Sequence, residues 1–369
     1  MKLENYDELL DLINKKNIKS VFLVTGKKSY EKTGADKKLS VLLQNCKVTR
    51  FYDFEVNPKL EDVITGVKLL TKEKSDLIIA VGGGSVIDVA KSINVLINYD
   101  NNQYMEVIGG KLEKLQTKLP LIAIPTTSGT GSEATHFSVL YVNKKKYSVA
   151  DQSILPNYIL LDPELTYSAS SYLTAVSGLD ALCQSIESYW AVNSTEESRD
   201  YASSAIDILL NNLENAVNGD KNAKDEVSYA SYLAGKAINI SKTTAPHAIS
   251  YPITTHFGLP HGHAVAITLG NFFEINGKLD VECNDPRGKL YVQKIMNELY
   301  QKFEVANPVK CRLVWEEFVK KIGVNINKNE NNLSEESTIN KILDGVNTER
   351  LSNNPVKIKK NDIIKVFTQ

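Results

Sequence analysis

The stretch "DLIIAVGGGSVIDVAKSINVLI", residues 76–97, decides how the first half of the chain is read. Its isoleucine- and valine-rich start reads as a buried strand, three glycines and a serine break it, and a helical pattern follows. Working outward, "SVFLVTG" (20–26), "KVTRFYDF" (47–54) and "LPLIAIPTT" (119–127) read as further strands, and "EDVITGVKLLTKEK" as a helix. This alternation predicts a parallel sheet covered by helices on both faces, and ligands of such sheets sit beyond the carboxyl ends of the strands. After "YILLDPELT" (158–166) long helical patterns such as "YASSAIDILLNNLENAVN" and "KLYVQKIMNELYQKFEV" take over. The expected organisation is therefore an α/β domain over 1–161 and an all-helical domain over 162–369, with an exposed polar loop at "NINKNENNLSEEST" (325–338).

The length of 369 residues suits two such domains. A formal net charge of −1 gives no support for nucleic acid or an anionic membrane as partner. The start "MKLENYDELLDLINKK" reads as an amphipathic helix rather than a signal peptide, and no apolar run approaches the roughly 20 residues that span a bilayer. Cys46, Cys183, Cys283 and Cys311 lie far apart and form no CxxC pair, which fits buried or incidental thiols in a cytoplasmic protein.

Gly82, Gly83, Gly84 and Ser85 stand between strand and helix. Glycines let the backbone approach a phosphate closely, and a helix N-terminus offers N–H groups and partial positive charge. The pattern is neither GxGxxG nor a Walker A sequence. A second polar turn, "PTTSGTGSE" (125–133), also follows a strand and offers Thr126, Thr127, Ser128, Thr130 and Ser132. Two such turns point to a dinucleotide, with Asp88 and Lys146 as further candidate contacts; the plain alternative for the first is a tight strand-to-helix turn.

Histidine is distributed unevenly. Of five in the chain, His247, His256, His261 and His263 fall within "SKTTAPHAISYPITTHFGLPHGHAV" (241–265), and only His136 lies elsewhere. Clustered imidazole suggests metal ligation or proton transfer. A hard site adds a carboxylate, and "SGLDALCQSIESYW" supplies Asp180 with Gln184 one helical turn on, so both side chains point the same way. The structural alternative is a capping aspartate and a surface amide.

Taken in order, "GGGSVIDVAK", "PTTSGTGSE", "DPELT", "GLDALCQSIESYW", "APHAISYP", "GLPHGHAV" and "VNTERLSNNPVKI" resemble the iron-dependent (group III) alcohol dehydrogenase family over nearly the whole chain. The resemblance implies a Rossmann-like first domain, a helical metal domain, a dehydroquinate synthase-like architecture and an active site in the cleft. It makes Asp180, His247 and His261 metal ligands for Fe2+ or Zn2+, with Mn2+ as a further choice. Gln184 occupies the fourth ligand position, where the family usually has histidine. Tyr251 stands where many members have a histidine that assists proton transfer; with a reference pKa near 10 it suits protonation of an alkoxide better than base catalysis. His263 is the other candidate proton donor. The resemblance also implies a homodimer or larger homo-oligomer.

Family members that prefer NADH carry an aspartate at the position of Gly26. Its absence, with Lys27 and Lys28 beside it, predicts NADPH as the preferred cofactor and NADH as the second choice. The approach to His247 carries Lys242, Thr243 and Thr244, which suit an anionic group on a small aldehyde or alcohol, with Arg199 as a more distant helper. The segments "EATHFSVLYVNKKKYS", "AVNSTEESRDYA" and "SKTTAPHAISYP" resemble the phosphonoacetaldehyde reductase branch of the family. The expected reaction is reduction of phosphonoacetaldehyde to 2-hydroxyethylphosphonate, in phosphonate biosynthesis. The alternatives are a general alcohol dehydrogenase for short alcohols, diols or aldehydes, a dehydroquinate synthase or glycerol-1-phosphate dehydrogenase type of enzyme, and a nucleotide-binding protein without turnover.

Overall fold

A computed structural model describes residues 1–112, 114–143, 145–278 and 282–368. Its internal contacts divide the chain into two units, Met1–Ala169 and Ser170–Gln369.

Among the described residues the first unit holds eight strands: β1 (Lys2–Leu3), β2 (Ser20–Thr25), β3 (Lys47–Phe51), β4 (Leu77–Gly82), β5 (Leu121–Pro125), β6 (Phe137–Val142), β7 (Lys145–Ala150) and β8 (Tyr158–Leu160). Six of them form a parallel sheet in the order β1-β8-β5-β4-β2-β3. Alternation along β2 explains why both faces are covered. Phe22 and Val24 enter one apolar core with Ile78 and Ala80, while Val21 and Leu23 enter the other with Ile79 and Val81. From β2 the chain runs outward to β3, then returns to lay β4 on the opposite side of β2 and continues to β5. The direction of winding therefore reverses between β2 and β4, the place where doubly wound sheets bind their ligands. Gly26 follows β2, and the glycine turn follows β4.

The sequence reading missed the short edge strand β1 and the antiparallel hairpin β6–β7, whose register runs from Phe137↔Ala150 to Val142↔Lys145. The expected strands were also too long at their ends: β2, β3 and β5 stop at Thr25, Phe51 and Pro125, where pairing with neighbours stops.

In the second unit the helix Ser171–Trp190 is buried on nearly every side from Thr174 onward. Helices Glu196–Val217, Lys221–Ser241 and His261–Gly277 pack on it. Local chemistry marks the starts: Ser170 accepts from the Leu173 N–H, Thr195 forms a reciprocal box with Ser198, and Asp220 accepts from Ala223. A helix apolar all round belongs in a core, so each polar residue on Ser171–Trp190 calls for a partner. Segment 325–338 is less loop-like than expected: Leu333 is fully buried, Asn325, Asn327 and Asn331 are bonded within the segment, and a helix begins at Glu336. Among the described residues no helix is long and apolar enough to cross a membrane.

Candidate nucleotide turns and metal centre

In the first unit the loop after β5 folds onto the glycine turn. The Thr126 N–H donates to the Gly82 carbonyl at 3.1 Å. A Cβ on Gly83 would lie 3.0 Å from Thr127 Oγ1, and one on Gly84 would lie 2.6 Å from Thr130 Oγ1. Glycine is thus needed here for packing as well as for approach to a ligand. The first N–H groups of the helix Gly84–Leu96 have no partner within the helix, and the two threonine hydroxyls stand beside them. Ser128 is half-buried in the same loop, and Ser85 accepts the Asn57 N–H through its hydroxyl at 3.4 Å.

Three polar residues brace this loop from behind. Lys91 is fully buried, and its Nζ donates to the carbonyl oxygens of Ser132, Thr135 and Phe137 at 2.6, 2.8 and 2.9 Å. Burial holds its pKa down to about 8, against the pull of Asp88 and Glu133. Asp88 accepts from the Ser132 hydroxyl at 2.6 Å and from the Val139 N–H at 3.1 Å. Asp88 and Ser132, expected to contact the cofactor, are therefore corrected to supports of the loop, because both carboxylate oxygens and the hydroxyl are engaged there. Lys146, half-buried on β7, is close enough to draw the Asp88 carboxyl down against its burial. Lys91 was overlooked, although a lysine three residues after an aspartate in an otherwise apolar helix is a visible signal.

At the end of β2, a Cβ on Gly26 would lie 2.1 Å from Ser29 Oγ. Lys27 is exposed and lies 3.6 Å from Asp53.

In the second unit, Asp180, His247 and His261 each bring one ligand atom within 4.8 Å of the others. His247 Nε2 and His261 Nε2 lie 3.3 and 3.9 Å from Asp180 Oδ1. Donors about 2.1 Å from a tetrahedral ion are about 3.4 Å apart, so this spacing fits a divalent metal. One glycine makes the approach. On Gly262, next to His261, a Cβ would lie 1.9 Å from the Val176 carbonyl oxygen and 2.9 Å from the Asp180 nitrogen. Any larger residue would push the start of helix His261–Gly277 away from Asp180.

The hydrogen-bond network orients the two imidazoles. Glu187, fully buried, takes His247 Nδ1 in a short contact and also accepts from the Thr244 N–H and hydroxyl at 2.7 and 2.9 Å. Ser250 donates to the His247 carbonyl at 2.8 Å, and its oxygen faces His261 Nδ1 at 3.4 Å. Both Nδ1 atoms therefore face an oxygen that can accept, and both Nε2 atoms face Asp180, the side from which a metal would be held once Nε2 gives up its proton. Burial would lower the His247 pKa, but the carboxylates of Glu187 and Asp180 outweigh it and raise the value to about 10. The pocket thus favours positive charge, which a metal ion would supply. Gln184 is buried one turn beyond Asp180. Glu187 was missed, although Asp180, Gln184 and Glu187 follow the i, i+4, i+7 pattern of one helix face.

The other candidates fare unevenly. Tyr251 stacks on His261, ring centroids 5.6 Å apart and planes within 14°. His263 is engaged at both ring nitrogens, Nε2 with the Asn325 carbonyl at 2.6 Å and Nδ1 with the Tyr172 hydroxyl at 3.0 Å, and burial lowers its pKa, which favours a supporting role over proton donation. Thr244 is also corrected. Its hydroxyl donates to Glu187 and accepts from Trp190 Nε1 at 2.9 Å, so it supports His247 rather than a substrate. Thr243 is buried, with its carbonyl bound by Asn353. Lys242, expected to await a substrate anion, holds Glu349 at 2.6 Å. Arg199 donates to the Tyr291 hydroxyl at 2.6 Å. His256 is exposed at its helix end, and His136 lies near Gln152.

The two units separately match two halves of one enzyme family. Residues 3–163 match "Iron-containing alcohol dehydrogenase", and residues 174–369 match "Fe-containing alcohol dehydrogenase family, C-terminal". The chain belongs to the iron-containing alcohol dehydrogenase family, a family of oxidoreductases. Among its relatives, a phosphonoacetaldehyde reductase from Streptomyces viridochromogenes is 32% identical over 261 residues, spanning 68% of this chain and 66% of that protein, just under two thirds. An NADPH-dependent butanol dehydrogenase from Clostridium saccharobutylicum is 34% identical over 269 residues, 72% of this chain and 69% of that protein. A crystal structure of sulfoacetaldehyde reductase from Bifidobacterium kashiwanohense in complex with NAD+ superimposes with a TM-score of 0.86 at 28% identity, covering 100% of this chain and 96% of that one.

Proposed function

We propose that this iron-containing alcohol dehydrogenase reduces a small aldehyde bearing an anionic group, phosphonoacetaldehyde first, with NADPH as hydride donor. Asp180, His247 and His261 would hold a divalent ion, with Gln184 as the fourth donor from the same helix face. When bound, the ion supplies Lewis acidity toward a carbonyl oxygen, and the reduced nicotinamide supplies hydride. Glu187 and Ser250 engage Nδ1 of the two imidazoles, which would leave Nε2 of each to the ion. Tyr251, flat against His261, offers its Oη proton to the product oxygen. The N–H groups at Gly84 and Ser85, with Thr127 and Thr130, would hold the cofactor pyrophosphate. Cytoplasmic residence and assembly as a homodimer or larger homo-oligomer belong to the same proposal.

The observation that carries the substrate class is the backbone at Lys242, φ 61° and ψ 177°. This region is almost restricted to glycine and costs other residues of order 1–3 kcal/mol. A lysine in that conformation, five residues before His247, is read as placed for its ammonium. Two relatives whose names carry a phosphono or a sulfo group on acetaldehyde support the reading. The Lys242–Glu349 ion pair favours a second reading, a dehydrogenase for neutral alcohols such as the butanol enzyme takes, in which Lys242 is a surface charge.

The test is NADPH oxidation by metal-loaded enzyme with phosphonoacetaldehyde, sulfoacetaldehyde and propionaldehyde. A kcat/KM at least tenfold higher for an anionic aldehyde supports the proposal. Equal values for all three overturn it in favour of the neutral-alcohol reading.

A further inference from the structure

Beside Gly26 lies an arginine that belongs to neither polar turn. Arg50 stands on β3 in register with Leu23 of β2, and its side chain reaches past the end of β2. Nε donates to Thr25 Oγ1 at 2.8 Å, and Nη2 donates to the carbonyl oxygens of Gly26 and Lys27 at 3.2 and 3.3 Å. The guanidinium lies over two aromatic rings, 4.5 Å from the Tyr30 centroid and 4.7 Å from that of Tyr52. Nε and Nη2 are thus engaged by the end of β2 and the two residues after it, and Nη1 makes no contact to that backbone. Its partner is Glu31, an exposed carboxylate at 3.5 Å.

This geometry sits where it can read a ribose. With a pyrophosphate at the turn after β4, the sugar of the adenosine half falls at the end of a neighbouring strand. Strands are about 4.8 Å apart, so β2 and β3 are within one nucleotide's reach of that turn. The Ser29 hydroxyl fills the space a side chain at position 26 would take and would have to turn away to admit one. Gly26 therefore offers no carboxylate to ribose hydroxyls, and a cation edge lies beside it.

We propose that Arg50 sets the cofactor preference: Nη1 donates to the 2′-phosphate of NADPH in exchange for Glu31, with the Ser29 hydroxyl as a second donor. This rests on the NADPH reading above. A planar, immobilised fork suits phosphate because little side-chain freedom is lost on binding. Glu31 acts as a placeholder that keeps the edge solvated and paired while the site is empty of phosphate.

The probes are 2′,5′-ADP, which carries the phosphate, and 5′-AMP, which does not, measured by calorimetry with the metal-loaded enzyme. Arg50→Gln should weaken 2′,5′-ADP by about tenfold or more, the worth of a charge-assisted pair, and change 5′-AMP less than about twofold. Glu31→Gln, at an exposed position, should tighten 2′,5′-ADP several-fold and leave 5′-AMP alone; it carries the test if Arg50→Gln does not fold. Equal weakening of both probes by Arg50→Gln, or no effect of Glu31→Gln on either, makes Arg50 a prop of the loop and overturns the proposal. Wild-type enzyme that binds both probes alike overturns the NADPH reading itself.

Discussion

Gly262 lies so close to Val176 that a Cβ on the glycine would sit 1.9 Å from the valine carbonyl oxygen. Backbone cannot yield as a side-chain tip can, so Gly262→Ala must displace the start of helix His261–Gly277. We expect a loss of about 1–3 kcal/mol from overpacking. Retention of metal after dialysis should fall too, because His261 moves away from Asp180. Urea unfolding and metal content of purified protein check this; unchanged values for both would show that the helices tolerate separation.

Glu187 does its work at one remove, through the Nδ1 proton of His247. Glu187→Gln keeps the volume but removes the charge and offers an amide where an acceptor is needed. Metal affinity should fall 10–100-fold, the usual effect of losing such a partner. Chelator competition at fixed pH measures it without turnover. Thr244→Val should shift affinity the same way by less, since it removes one donor to the same carboxylate. Wild-type affinity in Glu187→Gln would mean that packing alone orients His247.

Lys242 offers a separation of stability from selectivity. Lys242→Gly relieves about 1–3 kcal/mol of backbone strain. Against this stand an exposed ion pair worth under about 1 kcal/mol and the entropy of glycine, about 0.5–1 kcal/mol. Melting temperature should hold or rise while preference for an anionic aldehyde drops. A variant that loses stability and keeps its preference would place Lys242 among the structural residues.

The loop brace gives a pH signature. Burial raises the Glu133 carboxyl from 4.5 to about 7. Between those values the folded chain holds a proton that the unfolded chain has released, so this group's contribution to stability is fully present below about pH 4.5 and falls as pH rises toward 7. Glu133→Gln removes that dependence. The difference in urea midpoint, variant minus wild type, should grow from pH 5 to 7 and then level off. A difference independent of pH would show that Glu133 ionises as readily in the fold as outside it.

Much of the site was legible because its signals are local. "VGGGSVIDVAK" announces a strand, a turn and a helix within a few residues, and Asp180 with Gln184 follows helical spacing inside one segment. Glu187 was legible by the same spacing and was passed over. Arg50 carried no signal: it is one basic residue in "KVTRFYDF", and its role depends on β3 pairing in register beside β2. The errors at His263 and Thr244 have a common origin. Both residue types fit the roles expected of them, but an Asn325 carbonyl, a Tyr172 hydroxyl and the Glu187 carboxylate had claimed their polar atoms from far along the chain.

The sequence by itself determined the alternation of strands and helices, the two polar turns, the helical second half, and the residue types of a metal site. Those follow from hydrophobic period, glycine and capping chemistry, which act over a few residues. Only the tertiary structure decided which polar groups remain available for chemistry, because a hydrogen bond made across the fold consumes a donor or acceptor whatever the neighbouring sequence suggests. It also decided the closeness of Gly262 to Val176, on which the meeting of His261 and Asp180 depends.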